Sequence, residues 1–313
     1  ERQGPSFCNL EQRIIGMNKR ARTLDEWLDV IDQSGEIFGA SVAKLEAFTP
    51  RPSDVFISPF GKSGTTWLQQ ITHGLRSRGD MAFEEITEVT PWIELADAFH
   101  WDLTADHEFS PRIFKSHLDY KGIPKGGKYI VSFRNPLTQI LSFYRFMENW
   151  WFEEGAVSLD EFAHQITLKE PATSGYFFHL GTWLAQRKNP NVLLLTYEGM
   201  LADFDGWLTN IAEFINIDLD DELRQIVTEQ SSRAFMLEHG TQFDEHLNAQ
   251  RFEALGLTKA NPTTSKVTIG TPNTDRYRIS DSLTEKMTAA WTATIGEDHG
   301  LQNYEDPRKM IEA

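Results

Sequence analysis

Val55-Phe56-Ile57-Ser58-Pro59-Phe60-Gly61-Lys62-Ser63-Gly64-Thr65-Thr66-Trp67-Leu68-Gln69-Gln70-Ile71 is the stretch that decides the fold. Its first four residues form a short apolar run, the signature of a strand buried in a parallel sheet. Pro59-Phe60-Gly61 turns the chain, and Trp67 to Ile71 reads as a helix. A strand that turns into a helix leaves free N–H groups at the helix start, where the helix dipole also favours an anion. Lys62 adds a full positive charge, Ser63, Thr65 and Thr66 add hydroxyl donors, and Gly64 lets the backbone approach closely. The turn is P-loop-like, but it is not the P-loop of nucleoside triphosphatases. That motif needs Gly, four residues, then Gly-Lys-Ser/Thr, and the position of its first Gly is Phe56, inside the strand.

Further strands are expected at 112–115, 128–133 and 191–197, each a compact β-rich run. Helices are expected at 136–151, 175–187, 203–216, 220–229 and 282–295. Strands alternating with helices imply α/β architecture: three layers, with a central parallel sheet covered on both faces. The first fifty residues read as a helical extension packed on this unit, with Leu24, Trp27, Leu28 and Ile31 on one face. Thr49-Pro50-Arg51-Pro52-Ser53 breaks that pattern. One domain spanning 1–313 is expected, because an α/β chain of this length need not divide. The regions 91–110 and 238–272 read as irregular loops over the mouth of a site. No internal repeat or low-complexity tract is evident.

The composition, 40% hydrophobic, 24% charged and 12% aromatic, is that of a globular protein. No run approaches the roughly eighteen apolar residues of a membrane span. Residues 1–13 carry charges where a signal peptide would be apolar, and Cys8 is the single cysteine. No intramolecular disulfide can form, so a reducing, cytoplasmic location is expected. The formal net charge of −16 repels polyanions and argues against a nucleic-acid partner. Any phosphate-bearing ligand therefore requires local concentration of basic residues, and Lys62, Lys115 and Arg134 all fall at the ends of expected strands.

The turn 61–67 resembles the hallmark of the cytosolic-type sulfotransferase family, Pro-Lys-Ser-Gly-Thr-Thr-Trp, with Gly61 in place of the Pro. Three further segments resemble the family in the same order. Lys115-Ser116-His117 matches its Lys-Thr/Ser-His triplet at a strand end. An acceptor hydroxyl needs a base as the S–O bond forms, and histidine, with an ordinary pKa near about 6.5, suits that work. The resemblance implies that His117 is the base and that Lys115 holds the transferring group. Arg134-Asn135-Pro136 followed by Ser142 resembles the segment that grips the 3′-phosphate of 3′-phosphoadenosine 5′-phosphosulfate (PAPS), with Arg134 offering a bidentate fork. Thr196-Tyr197-Glu198-Gly199-Met200 resembles the strand end whose tyrosine contacts adenine, so Tyr197 and Trp67 become aromatic walls around the base.

Two family features are altered. Ser231-Ser232-Arg233-Ala234-Phe235-Met236 keeps in Ser231 a donor for the nucleotide, while Arg233 replaces a stacking phenylalanine. Thr268-Ile269-Gly270 stands where Arg-Lys-Gly supplies charge around the 3′-phosphate, leaving Lys266, Arg276 or Arg278 as substitutes. The dimer motif keeps Arg276, Ser280 and Glu285 but has Asp281 where valine is expected, leaving monomer and homodimer both open. Some bacterial members depart in similar ways.

The function implied is transfer of a sulfuryl group from PAPS, yielding 3′-phosphoadenosine 5′-phosphate (PAP), to a hydroxyl or amine of a small metabolite. Catalysis is then alignment plus electrostatics: Lys62 neutralises the leaving oxygen, Lys115 steadies the sulfuryl oxygens and His117 takes the acceptor's proton. Acids interleaved with aromatics (Glu94, Asp97, Asp102, Asp106, Glu148, Glu153 and Glu154) favour a cationic acceptor if they face the pocket. A P-loop kinase would need an intact Walker turn and a Mg²⁺-binding acid. A nucleotide sensor of the same fold would have no use for a base. The nine histidines show no metal-ligand spacing, so no metal is expected.

Overall fold

The computed structural model describes residues 20–256, 266 and 275–312, with backbone alone for 33–44. Helix α1 (Leu24–Ala47) is capped by Thr23, whose hydroxyl accepts from Glu26 N–H. It leads to β1 (Val55–Ile57) and, through the turn, to α2 (Thr65–Ser77). Then follow β2 (Ile113–Lys115), β3 (Lys128–Phe133), α3 (Pro136–Trp150), α4 (Gly175–Leu184) and β4 (Val192–Thr196). Four longer helices of the remainder bear on the site or the core: α5 (Phe204–Phe214), α6 (Asp221–Gln230), α7 (His246–Ala254) and α8 (Asp281–Trp291).

The four strands form one sheet in the order β2-β1-β3-β4, every pair parallel. Val55 pairs with Ile113 on one side and with Lys128 on the other, and Tyr129 pairs with Val192. Successive side chains of a strand point to opposite faces, and both faces are buried here. Phe56, Phe114, Tyr129 and Val131 join one core cluster, where Tyr144 of α3, Trp183 of α4 and Trp291 of α8 cover them. Val55, Ile57, Ile113 and Ile130 join the other, beneath Leu68 and Ile71 of α2, Leu208 of α5 and Val227 of α6. The expected three layers follow from that alternation. Among the described residues no helix is long and apolar enough to cross a membrane.

The chain leaves β1 toward β2 and leaves β3 toward β4, so the strand order reverses between β1 and β3. In open α/β sheets a crevice opens at that point, outside the carboxyl ends of the strands. The turn after β1 and Arg134 after β3 flank it.

The structure corrects some boundaries. Tyr197, expected on a strand, begins a short helix (Tyr197–Ala202) because Thr196 accepts from Gly199 N–H as its cap. The region 238–272, expected to be irregular, contains α7. Its start carries no usual capping residue, since Glu245 occupies the cap position in left-handed backbone with no side-chain cap bond. The helix is held instead by Phe252, which packs against Trp150 and Trp151. Thr268-Ile269-Gly270 lies outside the described residues.

Candidate active site

The turn after β1 contains two left-handed residues, Lys62 (φ 66°) and Gly64 (φ 102°). Gly64 is required twice over. Its backbone lies in the region glycine favours, and a Cβ there would meet Tyr197 Cδ2 at 3.1 Å. No side chain caps α2, so the first N–H groups of the helix stay available at the crevice. Ser63, between the two left-handed residues, is turned inward and completely buried, and its carbonyl accepts the Ser132 hydroxyl at 2.5 Å. It alone of the expected site residues does not line the cavity. The others, Lys62, Gly64, Thr65, Thr66, Trp67, Lys115, His117, Arg134, Ser142, Tyr197 and Ser231, share one cavity of about 1030 Å³.

At one end of this cavity Trp67 stacks on Phe204 (centroids 5.7 Å, planes 13° apart) and meets Tyr197 edge-on at 5.8 Å. Trp67 is fixed by its indole N–H, which donates to Ser231 O at 2.9 Å. The Arg134 guanidinium lies over the Tyr197 ring, 4.5 Å from its centroid, and donates to Lys62 O at 2.9 Å. Thr65 and Ser231 line the cavity, and their hydroxyls are buried and without a hydrogen-bond partner. Buried polar groups are ordinarily paired, so these two hydroxyls suit the polar atoms of a nucleotide. Sequence reasoning missed Phe204, which no motif marks.

Lys115 ends β2, and His117 follows it by two residues. The His117 ring packs edge-on against Trp92 at 5.2 Å, and its backbone N–H donates to Glu94 Oε1 at 2.6 Å. Its Nδ1 is 2.8 Å from Pro59 O. A carbonyl can only accept, so Nδ1 carries the proton and Nε2 keeps the lone pair. Burial first, and then the neighbouring Lys115, push the imidazole pKa down to about 3, so the ring is neutral throughout the physiological range. Lys115 is almost fully buried, with its ammonium 3.8 Å from the Trp92 centroid and paired with Glu245. Lys62 lies over the Phe146 ring at 4.8 Å. Burial, reinforced by Lys266, lowers its pKa to about 7.

Charge is segregated as a polyanion requires. In a chain of net charge −16, the described lining holds six basic side chains (Lys62, Lys115, Lys266, Arg134, Arg145 and Arg233) and one acid, Glu245. Of the three substitutes considered for the altered motif, Lys266 reaches the cavity. Arg276 pairs with Glu154 at 2.6 Å, and Ser280 caps α8 and bonds Asp160 at 3.0 Å, so both motif residues are engaged within the chain. Arg278 does not line the cavity.

The acids expected beside the acceptor lie elsewhere. Glu94 is buried beneath His117, Glu148 accepts from Gly155 N–H and Tyr277 O–H, Glu153 pairs with Arg22, and Asp106 with Arg51. None of the seven lines the cavity. Beside the basic groups the lining has an apolar wall: Trp27 and Ile31 from α1, Phe146 and Trp150 from α3, Phe60 from the turn and Phe252 from α7. Charged groups bind water or a partner more favourably than an apolar wall, so the aromatics line the cavity while the acids turn to solvent, to an arginine or to buried hydrogen-bond donors.

Residues 52–291 match the sequence model of the family described as the sulfotransferase domain. The chain belongs to that sulfotransferase family. It is 30% identical over 202 residues to sulfotransferase 2A1 of Homo sapiens, spanning 62% of this chain and 70% of that one. It is 28% identical over 194 residues to an amine sulfotransferase of Oryctolagus cuniculus, spanning 60% and 64%. Among solved structures, a retinol dehydratase in complex with androsterone and inactive cofactor PAP superposes with a TM-score of 0.64 at 18% identity, over 82% of this chain and 86% of that one. A mouse sulfotransferase complexed with PAP superposes with a TM-score of 0.61 at 20% identity, over 87% and 94%.

Proposed function

We propose that this sulfotransferase moves the sulfuryl group of PAPS to the hydroxyl of an apolar, neutral small molecule, with His117 as general base. Family membership supports the reaction class, and neighbours of the same fold were solved with PAP. The observation that carries the reading is the convergence of Lys62, Lys115 and a neutral His117 with a committed Nδ1 proton on one basic cavity.

In this reading Trp67, Tyr197 and Phe204 flank the adenine, and Arg134, Ser142 and Ser231 take the 3′-phosphate and ribose. The helix-start N–H groups, with Thr65 and Thr66, hold the 5′-phosphate. The acceptor oxygen gives its proton to His117 Nε2 as its bond to sulfur forms. The bond from sulfur to the bridging phosphate oxygen breaks, and the charge left on that oxygen meets the Lys62 ammonium. PAP and the sulfate ester are the products.

The apolar wall supports a neutral acceptor. Steroid- and amine-named relatives both exist, but among the described residues the cavity lining offers an ammonium no free carboxylate, since its one acid is shared by two lysines. A cationic acceptor loses hydration with nothing to replace it. Labelled-sulfate transfer from PAPS to paired acceptors of similar size, neutral and cationic, is expected to favour the neutral partner in kcat/KM by at least about tenfold. A preference for the cationic partner removes this reading of the acceptor; absence of transfer to any hydroxyl or amine removes the reading of the reaction.

A further inference from the structure

Glu245 belongs to none of the motifs above. It stands at the start of α7 in left-handed backbone (φ 59°, ψ 34°), with its side chain 5% exposed. Its carboxylate accepts from both Lys115 Nζ and Lys266 Nζ. A non-glycine residue persists in that backbone region only where the surroundings over-determine it, and such residues cluster at functional sites. Lys62, across the same cavity, is held in the same region.

Two buried ammonium groups brought together without an anion repel one another and are driven toward the neutral amine. Even beside Glu245, burial holds Lys266 down to about 8. The carboxylate therefore sits where a bound polyanion has its strongest claim: between the lysines, at the only acidic point among the described lining residues.

We propose that Glu245 is the resident counter-anion of the transfer site, a positioning residue that keeps Lys115 and Lys266 charged and drawn together before the donor arrives, then yields them to the donor's anionic oxygens. This rests on the reading that the cavity takes PAPS. It means that the charge balance of the empty site is supplied by the chain itself, so the donor exchanges one anion for another. It also makes the carboxylate a competitor that weakens retention of the product.

The two consequences separate with pH. As pH falls Lys266 keeps its proton with less help from Glu245, so Glu245→Gln comes closer to removing only the competitor. At higher pH Lys266 without its counter-anion loses its proton, and binding must restore it. Calorimetric titration with PAP at pH 8, in two buffers of different ionisation enthalpy, counts those protons; phosphate oxygens with a second pKa near about 6 are already ionised there. Glu245→Gln is expected to take up more protons than the wild type, by up to about half a proton from Lys266, and each extra linked proton steepens the fall in affinity by about tenfold per pH unit. Its PAP affinity relative to the wild type is expected to improve between pH 8 and pH 6.5. Glu245→Asp keeps the charge and is expected to keep the wild-type proton count. Lys266→Met, useful should the Gln variant fail to fold, is expected to take up fewer protons at pH 8 than the wild type, because it removes one titrating amine and relieves its repulsion of Lys62. Equal proton counts in wild type, Glu245→Gln and Lys266→Met overturn the proposal, as does an affinity of Glu245→Gln relative to the wild type that does not improve from pH 8 to pH 6.5. Failure of the wild type itself to bind PAP refutes the donor reading instead.

Discussion

His117→Ala is expected to lower kcat by about a hundredfold to ten-thousandfold, the usual worth of a positioned general base, while leaving PAP affinity within about twofold. The separation follows from the geometry. The Nδ1 proton is committed to Pro59 O at 2.8 Å, and the lone pair on Nε2 is the function the ring offers the cavity. Loss of the base matters less when the acceptor ionises by itself. The defect is therefore expected to shrink with a nitrophenol acceptor that ionises near neutral pH and to be largest with an aliphatic alcohol. A defect equal for both acceptors assigns His117 a structural role. The pH profile offers a second check. A group with its pKa pushed down to about 3 stays in the basic form above roughly pH 4, so the acid limb of kcat/KM is expected to be absent from pH 5 upward. An acid limb centred near 6 in the wild type, lost in His117→Ala, contradicts the buried, neutral ring.

Lys62→Ala is expected to cost at least about a hundredfold in kcat, from a donor to a developing oxyanion worth roughly 2.7–4 kcal/mol. The sign of its pH dependence is fixed by the site. Burial, with Lys266 adding repulsion, lowers the Lys62 pKa to about 7 in the free protein. The useful form is the cation, so kcat/KM for the donor is expected to fall as pH rises through about 7. The bound polyanion raises that pKa, so kcat holds to higher pH than kcat/KM. Lys62→Arg, always charged, is expected to lose this alkaline limb even if its geometry lowers the rate. An unchanged limb in Lys62→Arg places the titration on another group. Wild-type turnover in Lys62→Ala removes Lys62 from the leaving-group role.

A feature of this protein is legible in its sequence to the extent that the feature is local. The strand, turn and helix of 55–77 are written in neighbouring residues: an apolar run, two glycines, a lysine between them and hydroxyls at the helix start. The positions of Lys115, Arg134 and Tyr197 at strand ends are equally readable, because a parallel sheet puts the carboxyl ends of its strands on one side. The interleaved acids and aromatics near 94–106 and 148–154 suggest a shared face, and the fold separates them. Neighbours in sequence part in space when one prefers an apolar wall and the other an arginine, as Glu153 finds Arg22 and Glu154 finds Arg276. Ser63 departs from its expected place for a related reason, since two left-handed residues around it turn its side chain into the core.

By itself the amino-acid sequence determined the α/β layering, the anion-binding turn and the order of basic groups along the strand ends, since each rests on hydrogen-bonding and burial patterns a few residues long. Tertiary structure alone decided which side chains face one another across the crevice. Glu245 is one of 46 acids, and it reaches Lys115 across 130 residues of chain. The apolar roof takes Trp27 from α1, Phe146 from α3 and Phe252 from α7, which no spacing connects. Contacts of that kind arise when whole elements pack, and a local pattern carries no record of them.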